Sequence, residues 1–286
     1  ITAMRTDPGG KGINVSKVIH KLGSRSIAVG ILGGDTGRII LSALEDAKLE
    51  TRFRFVEGET RTNLKVIDPV NHTNTDINEP GIAVSEEILN DLLCDLLKEL
   101  VAGDIVVLSG SLPKGAPRDT YGTWVKACKG VGAKVILDAD GDLLSAGIEA
   151  SPYLIKPNEH ELSGLLGRTL DTKEELAEAA RDLMEKYGIA KVVVSMGGAG
   201  ALYVTETETV YAEGMKVPVG STVGAGDSVV ASLAVAEESG MGLEEAVRLS
   251  TATGAANVMC NGTQPAEYES IEELIPKVVF YRLIRL

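Results

Sequence analysis

The residues best suited to chemistry lie in Ser221-Thr222-Val223-Gly224-Ala225-Gly226-Asp227-Ser228, which runs directly into the apolar stretch Val229-Val230-Ala231. Small residues let a ligand approach the backbone, and the free N–H groups of a helix's first turn, aligned with the helix dipole, attract anions. A carboxylate at such a terminus is held as the anion. Beside an incoming hydroxyl it can accept the proton as that hydroxyl attacks. The same N–H groups would stabilise charge building up on a phosphoryl group in transfer. An isolated Asp in this place is better explained as a first-turn acid favoured by the dipole, so Asp227 gains its meaning from the surrounding motif.

Three further segments carry candidate groups. Gly9-Gly10-Lys11-Gly12-Ile13-Asn14-Val15-Ser16 is a second glycine cluster that opens a helix. It matches neither GxxxxGK[ST] nor GxGxxG, which speaks against a P-loop and against a dinucleotide site; alone it reads equally as a loop and helix start. Lys156-Pro157-Asn158-Glu159-His160-Glu161 follows the short apolar run Tyr153 to Ile155. Ligands of open α/β sheets gather at the carboxyl ends of strands, and Asn158 and Glu161 are spaced to face one way and reach a hydrated Mg²⁺. The same spacing suits a capping pair, and His160 is expected to face solvent. Ser195-Met196-Gly197-Gly198-Ala199-Gly200 separates two apolar runs, where it allows a tight turn and leaves room for a nucleotide against the backbone.

The elements that must position these groups alternate. Apolar runs Ser26 to Leu32, Asp104 to Leu108, Lys134 to Leu137, Tyr153 to Ile155 and Lys191 to Val194 have the continuous hydrophobicity of strands buried on both faces. Between them, Asn14 to Leu22, Gly37 to Ala47, Ser85 to Val101, Arg118 to Val131, Thr172 to Tyr187, Ala225 to Ser239 and Leu243 to Met259 have helical periodicity, with Ser85 and Thr172 as N-caps. This pattern predicts a parallel sheet covered by helices. Thr51 to Asp76 breaks it with strand-like segments and no helix, which predicts a small antiparallel excursion able to act as a lid.

Composition narrows the class. The 286 residues are 44% hydrophobic but only 4% aromatic, as in glycine-punctuated α/β enzymes. A net charge of −13 with no basic run excludes nucleic acid as an expected partner. No apolar stretch is long enough to span a membrane, and Cys94, Cys128 and Cys260 form no metal or disulfide pattern, so a soluble cytoplasmic protein is expected. Cys94 lies within an apolar helical stripe (Leu89, Leu92, Leu93, Leu96, Leu97) and is read as core.

The four segments, in this order, resemble the PfkB family of ribokinase-like sugar kinases over the whole chain. Gly9 to Ser16 resembles the family's N-terminal signature and Thr222 to Asp227 its C-terminal one, with KPNxxE and SxGxxG between them. The resemblance implies a three-layer α/β/α sandwich with a mostly parallel central sheet and a small β-sheet lid at about 51–77, in a single kinase domain. It implies ATP and Mg²⁺, and a small sugar phosphate as substrate. Gly9, Gly10, Lys11, Asn14 and Ser109 would then bind the sugar phosphate, and Arg61 would grip its phosphate. Gly224, Ala225 and Gly226 would form an anion hole and Asp227 would be the base. Lys156, Asn158, Ser195, Gly197, Gly200 and Asn257 would line the ATP site, with Glu161 reaching Mg²⁺ through water.

Gly-Gly-Lys-Gly-Ile-Asn (9–14), Thr-Arg-Thr-Asn (60–63), Ser-Gly-Ser-Leu-Pro (109–113), Ala-Thr-Gly-Ala-Ala-Asn-Val-Met (252–259) and Gly-Thr-Gln-Pro (262–265) look most like the ketohexose-phosphate branch. The expected reaction is therefore phosphorylation of fructose 1-phosphate at its 6-hydroxyl, with tagatose 6-phosphate as the rival substrate. A non-catalytic sugar-phosphate sensor is the rival of another class. The family's usual N-terminal strand, with its Asn-Pro-Ala-x-Asp segment, has no match here. A homodimer formed through the lid is compatible with the resemblance.

Overall fold

A computed structural model describes residues 4–68 and 73–283. The elements run α1 (Lys11–Lys21), β1 (Ile27–Gly33), α2 (Gly34–Asp46), β2 (Glu50–Val56), β3 (Asn63–Asp68), β4 (Thr73–Asn78) and α3 (Glu86–Glu99). They continue with β5 (Ile105–Ser109), α4 (Thr120–Gly130), β6 (Lys134–Asp138), α5 (Gly141–Ile148), β7 (Leu154–Ile155), α6 (Glu159–Leu166) and α7 (Lys173–Tyr187). The last are β8 (Lys191–Ser195), β9 (Gly200–Thr205), β10 (Thr209–Glu213), α8 (Ala225–Glu238), α9 (Leu243–Val258), α10 (Tyr268–Leu274) and β11 (Phe280–Arg282). They group into two compact units, Ile1–Ser26 with Leu97–Ser111 and Arg118–Leu286, and Ile27–Leu96 with Leu112–Pro117.

The first unit is built on a seven-stranded sheet of order β11-β10-β9-β8-β7-β6-β5. Strands β5 to β8 pair in parallel, because a helix connects each to the next, and β8 to β11 extend the sheet antiparallel. The β8–β9 link is short, so the chain can only turn back there. Alternate strand residues serve opposite faces. Ile136, Leu154 and Val193 belong to one buried cluster with Val15 of α1, Val230 of α8 and Val247 of α9. Their neighbours Val135, Leu137, Ile155, Val192 and Val194 are equally buried, and helices α4 to α7 pack along the same strands. The result is the expected α/β layering, with Ser109, Asp138 and Lys156 at or just past the carboxyl ends of the parallel strands.

Two helix starts are fixed by reciprocal capping boxes: Thr172 with Glu175 on α7, and Asn158 with Glu161 on α6. Ser85 caps α3 more weakly, its hydroxyl accepting from Ile88 N–H at 3.4 Å. Helix α8 is different. Val230, Ala231, Ser232, Leu233, Ala234, Val235 and Ala236 are all buried, so it is an interior helix rather than an amphipathic surface one.

The second unit holds two small sheets. β3 and β4 pair antiparallel as expected, though residues 69–72 of the excursion lie outside the described residues. β2 does not join them. It pairs in parallel with β1, and α2 supplies the crossover that a parallel pair requires. The segment from Ser26 to Leu32 therefore forms part of this separate two-stranded sheet among the described residues, not of the seven-stranded one. A second correction concerns Cys94, which is exposed. Leu89, Leu92 and Leu93 face inward on α3, and Cys94 follows the polar positions Asn90 and Asp91 at helical spacing.

Candidate active site

The loop before α8 is braced from three sides. Val223 N–H donates to Ser221 Oγ at 3.2 Å, Asn257 Nδ2 donates to the Val223 carbonyl at 3.3 Å, and Ala225 N–H reaches the Thr222 carbonyl at 3.4 Å. Gly224 caps the helix at φ 81°, a left-handed conformation that disfavours any side chain. A Cβ at Gly224 would lie 3.5 Å from Asn257 Nδ2 and 3.9 Å from Asn14 Nδ2. Beyond it, the first N–H groups of α8 lack carbonyls in their own helix, as at any helix start.

Asp227 is the third residue of α8 and only 6% exposed. Asn14 Nδ2 donates to its Oδ2 at 2.8 Å, which joins the two glycine clusters that are 213 residues apart in the chain. Asn14 Oδ1 is itself buried and has no hydrogen-bonding partner among the described residues. Gly10 caps α1 at φ 115°, a conformation that disfavours any side chain, and Lys11 and Asn14 follow in the first turn of that helix. Gly9 is part-buried just before it.

A second buried carboxylate was absent from the sequence reading. Asp138, at the end of β6, accepts Lys156 Nζ at 3.1 Å on one oxygen and Lys11 Nζ at 3.3 Å on the other. Lys156 comes from the segment after β7, and a Cβ on Gly226 would lie 3.5 Å from its Nζ. Asp138, Lys11, Lys156, Asn14 and Asp227 thus converge on the start of α8. The signal that could have found Asp138 is its place: it ends a parallel strand, the rule already applied to Lys156.

The charges shape one another. Burial raises the Asp227 carboxyl above its usual range; the Asn14 hydrogen bond opposes this, and Asp138 adds to the rise while Lys11 and Lys156 counter it. For Lys11, burial lowers its ammonium, but Asp138, Asp227 and more weakly Glu161 outweigh that and raise it. Contrary to the expectation that the helix terminus holds it as the anion, burial makes Asp227 a carboxylate whose charge is disfavoured by its surroundings, the property of a base that gains by taking a proton.

The remaining expected residues fall as follows. Ser109 ends β5 opposite Asp138 in the β5–β6 register, and its Oγ is buried without a partner among the described residues. Lys156 is buried on Asp138 beside Gly226. Asn257 is 3% exposed and spends its amide on the Val223 loop carbonyl, next to Gly224. Ser195 meets the Pro157-Asn158 segment, its N–H donating to the Pro157 carbonyl at 3.0 Å. Gly197 opens a 3₁₀ turn that Gly200 closes; Gly200 has φ 113°, and a Cβ there would lie 2.0 Å from the Ala212 carbonyl oxygen. His160 is solvent-facing, with a side chain 91% exposed. Arg61 belongs to the second unit, exposed between β2 and β3.

The Asn158–Glu161 pair is occupied by its own capping box. Among the described residues no group of three or more His, Cys, Asp or Glu side chains could hold a metal. With Glu161 already accepting the Asn158 N–H, the carboxylates here would suit Mg²⁺ only as an ion carried by nucleotide phosphates and reached through water. No helix among the described residues is long and apolar enough to cross a membrane.

A model of the pfkB family carbohydrate kinases matches residues 1–270. A 1-phosphofructokinase of Bacillus subtilis is 39% identical over 96% of this chain and 89% of its own length. One from Escherichia coli is 36% identical over 87% of this chain and 79% of its own. Among solved structures, phosphofructokinase-2 from Escherichia coli in complex with substrates and products superposes with a TM-score of 0.91 at 32% identity, covering 96% of this chain and 90% of that one.

Proposed function

From the premise that this chain belongs to the pfkB family of carbohydrate kinases, we propose that it transfers the γ-phosphoryl group of ATP to the 6-hydroxyl of fructose 1-phosphate. The observation that carries the chemistry is Asp227: a buried carboxylate of raised pKa at the start of an interior helix, oriented by Asn14. Curated relatives named 1-phosphofructokinase, at 35–39% identity for the first five, support the choice of substrate.

Asn14 engages Oδ2 of Asp227 and leaves Oδ1 for the acceptor hydroxyl. As the hydroxyl oxygen attacks phosphorus, its proton passes to Asp227, the bond from phosphorus to the ADP oxygen breaks, and that electron pair leaves with ADP. The Gly226 N–H, joined by the Ala225 N–H once it leaves its long 3.4 Å contact with the Thr222 carbonyl, would meet the equatorial phosphoryl oxygens, where the positive dipole end is worth most in the transition state. Gly224 supplies the left-handed turn that points them there. Lys11 and Lys156, held ready on Asp138, offset the charge of donor and acceptor phosphates. Glu161 would reach a nucleotide-borne Mg²⁺ through water, and the ion would supply further neutralisation of phosphate charge.

Gly9, Gly10 and Ser109 border the sugar, and Arg61 binds the phosphate the substrate already carries, a role suited to a forked guanidinium. Ser195, Gly197, Gly200 and Asn158 border the nucleotide. Asn257 is better assigned to bracing the Val223–Gly224 turn. A homodimer through β3–β4 belongs to the same proposal, because Leu64, Val66 and Ile77 are 53%, 48% and 56% exposed in the single chain; a monomer by light scattering would remove it.

A coupled ADP-release assay with fructose 1-phosphate, fructose 6-phosphate and tagatose 6-phosphate tests the substrate. The highest kcat/KM is expected for fructose 1-phosphate. A higher value for tagatose 6-phosphate would replace the substrate and keep the mechanism, and no turnover with any of them would favour a sensor.

A further inference from the structure

The loop joining β2 to β3, residues 57–62, is tied down at each position next to Arg61. Thr60 makes a reciprocal pair with Gly33 at the end of β1: its N–H donates to the Gly33 carbonyl at 3.0 Å, and its Oγ1 accepts Gly33 N–H at 2.9 Å. Glu59 sits on the N-terminus of α2, where its carboxylate accepts Thr36 N–H at 2.6 Å and Asp35 N–H at 3.3 Å. On the far side, Thr62 N–H donates to Glu79 at 2.8 Å.

The glycines around this loop are shaped to admit it. A Cβ on Gly34 would fall 1.9 Å from Glu59 Oε2, and one on Gly33 would fall 2.6 Å from the Gly58 carbonyl oxygen. The stem of Arg61 lies against Gly81, where a Cβ would meet its Cδ at 3.3 Å. Hydrogen bonds from Thr36 lower the Glu59 carboxyl even though it is exposed, and the positive end of α2 favours the same charge.

We propose that Glu59 and Thr60 are positioning residues for substrate binding: they lock the loop on which Arg61 stands, so that its guanidinium is already oriented when a sugar phosphate arrives. The proposal rests on the assignment of Arg61 to the substrate's phosphate. A long exposed side chain on a free loop loses conformational freedom on binding, and a fixed loop lowers that cost before the ligand comes. The effect belongs in affinity for the sugar phosphate, not in the transfer step and not in ATP binding.

The test compares wild type, Glu59→Gln, Thr60→Val, Arg61→Ala and the double variant Glu59→Gln/Arg61→Ala in steady-state kinetics with fructose 1-phosphate and ATP. Each single loop variant should raise KM for fructose 1-phosphate roughly tenfold, while kcat and KM for ATP stay within about twofold. The double variant should match Arg61→Ala, because Glu59 has nothing left to orient. Wild-type KM in both Glu59→Gln and Thr60→Val, or losses that multiply in the double variant, would overturn the proposal. Unchanged KM in Arg61→Ala would instead strike the phosphate assignment itself, and the clamp's purpose with it. Thr60→Val carries the test alone if Glu59→Gln does not fold.

Discussion

Replacing Asp227 with Asn is the sharpest perturbation this site allows, because it removes one function and preserves the shape. An Asn side chain has the same size, and its carbonyl oxygen can accept the same 2.8 Å hydrogen bond from Asn14. What disappears is the proton acceptor. A positioned general base contributes roughly 10²- to 10⁴-fold in rate, which is about 2.7 to 5.4 kcal/mol of barrier. Stability should move the other way. The folded-state pKa of Asp227 is raised, chiefly by burial, so the folded protein favours its neutral form. That penalty is absent below the unfolded pKa and fully present above the folded one, hence at neutral pH a neutral Asn removes it. The assay pairs initial rates of ADP release at saturating substrates with calorimetric binding of fructose 1-phosphate and a thermal melt. The expected result is kcat down by two to four orders of magnitude with sugar-phosphate binding intact and a melting temperature equal to or above wild type. In wild type, kcat/KM should fall on the acid side with an inflection above the ordinary carboxylate value of 3.8. A variant within about tenfold of wild-type kcat would refute the base assignment.

Asp138→Asn should leave Lys156, whose side chain is 6% exposed, without its counter-charge, and breaking such a buried pair costs about 3 to 5 kcal/mol, read by urea denaturation. Gly224→Ala must place a Cβ at φ 81° against Asn257, which costs roughly 1 to 2 kcal/mol in backbone strain and should lower kcat more than it raises KM for either substrate. Glu237, near the far end of α8, is bound by Lys191 and by Tyr153 Oη at 2.7 Å; although burial opposes it, these partners hold its carboxyl below the usual value. Its stabilising contribution is therefore present above the unfolded pKa of about 4.5 and lost as pH falls through the lower folded value. Glu237→Gln should destabilise the protein at pH 7 and flatten the acid limb of a stability profile measured by melting temperature.

Much of this architecture was legible from periodicity. Long amphipathic helices such as α7 were recoverable to within a residue, since the Thr172 cap and the Gly188 left-handed stop mark its ends chemically. Short elements were not. α5 and α10 have eight and seven residues, too few to establish a period, and β11 is a three-residue edge that exists only because β10 offers it a partner. β2 had the right conformation and the wrong neighbour, because strand pairing is set by the α2 crossover and not by local pattern. At the site, glycine clusters announced Asp227, Asn14 and Lys11. Asp138 stayed hidden within Leu137-Asp138-Ala139-Asp140, where its place at the strand end hints at it and the meeting of two distant lysines distinguishes it from Asp140. Asn158 and Glu161 illustrate the opposite case: the spacing was right, and it serves first to start a helix.

Helix α8 is packed by small residues, with Gly254 of α9 so near that a Cβ there would lie 3.0 Å from Val229 Cγ2. A rod gripped along its whole length transmits displacement lengthwise with little loss, since a close-packed interior yields poorly to compression. Enlarging Ala234 or Gly254 is accordingly expected to displace Asp227 near the start of the same helix. Deep substitutions far from any substrate should thus behave as alignment errors of the reacting atoms, detectable as lost turnover before any loss of folding.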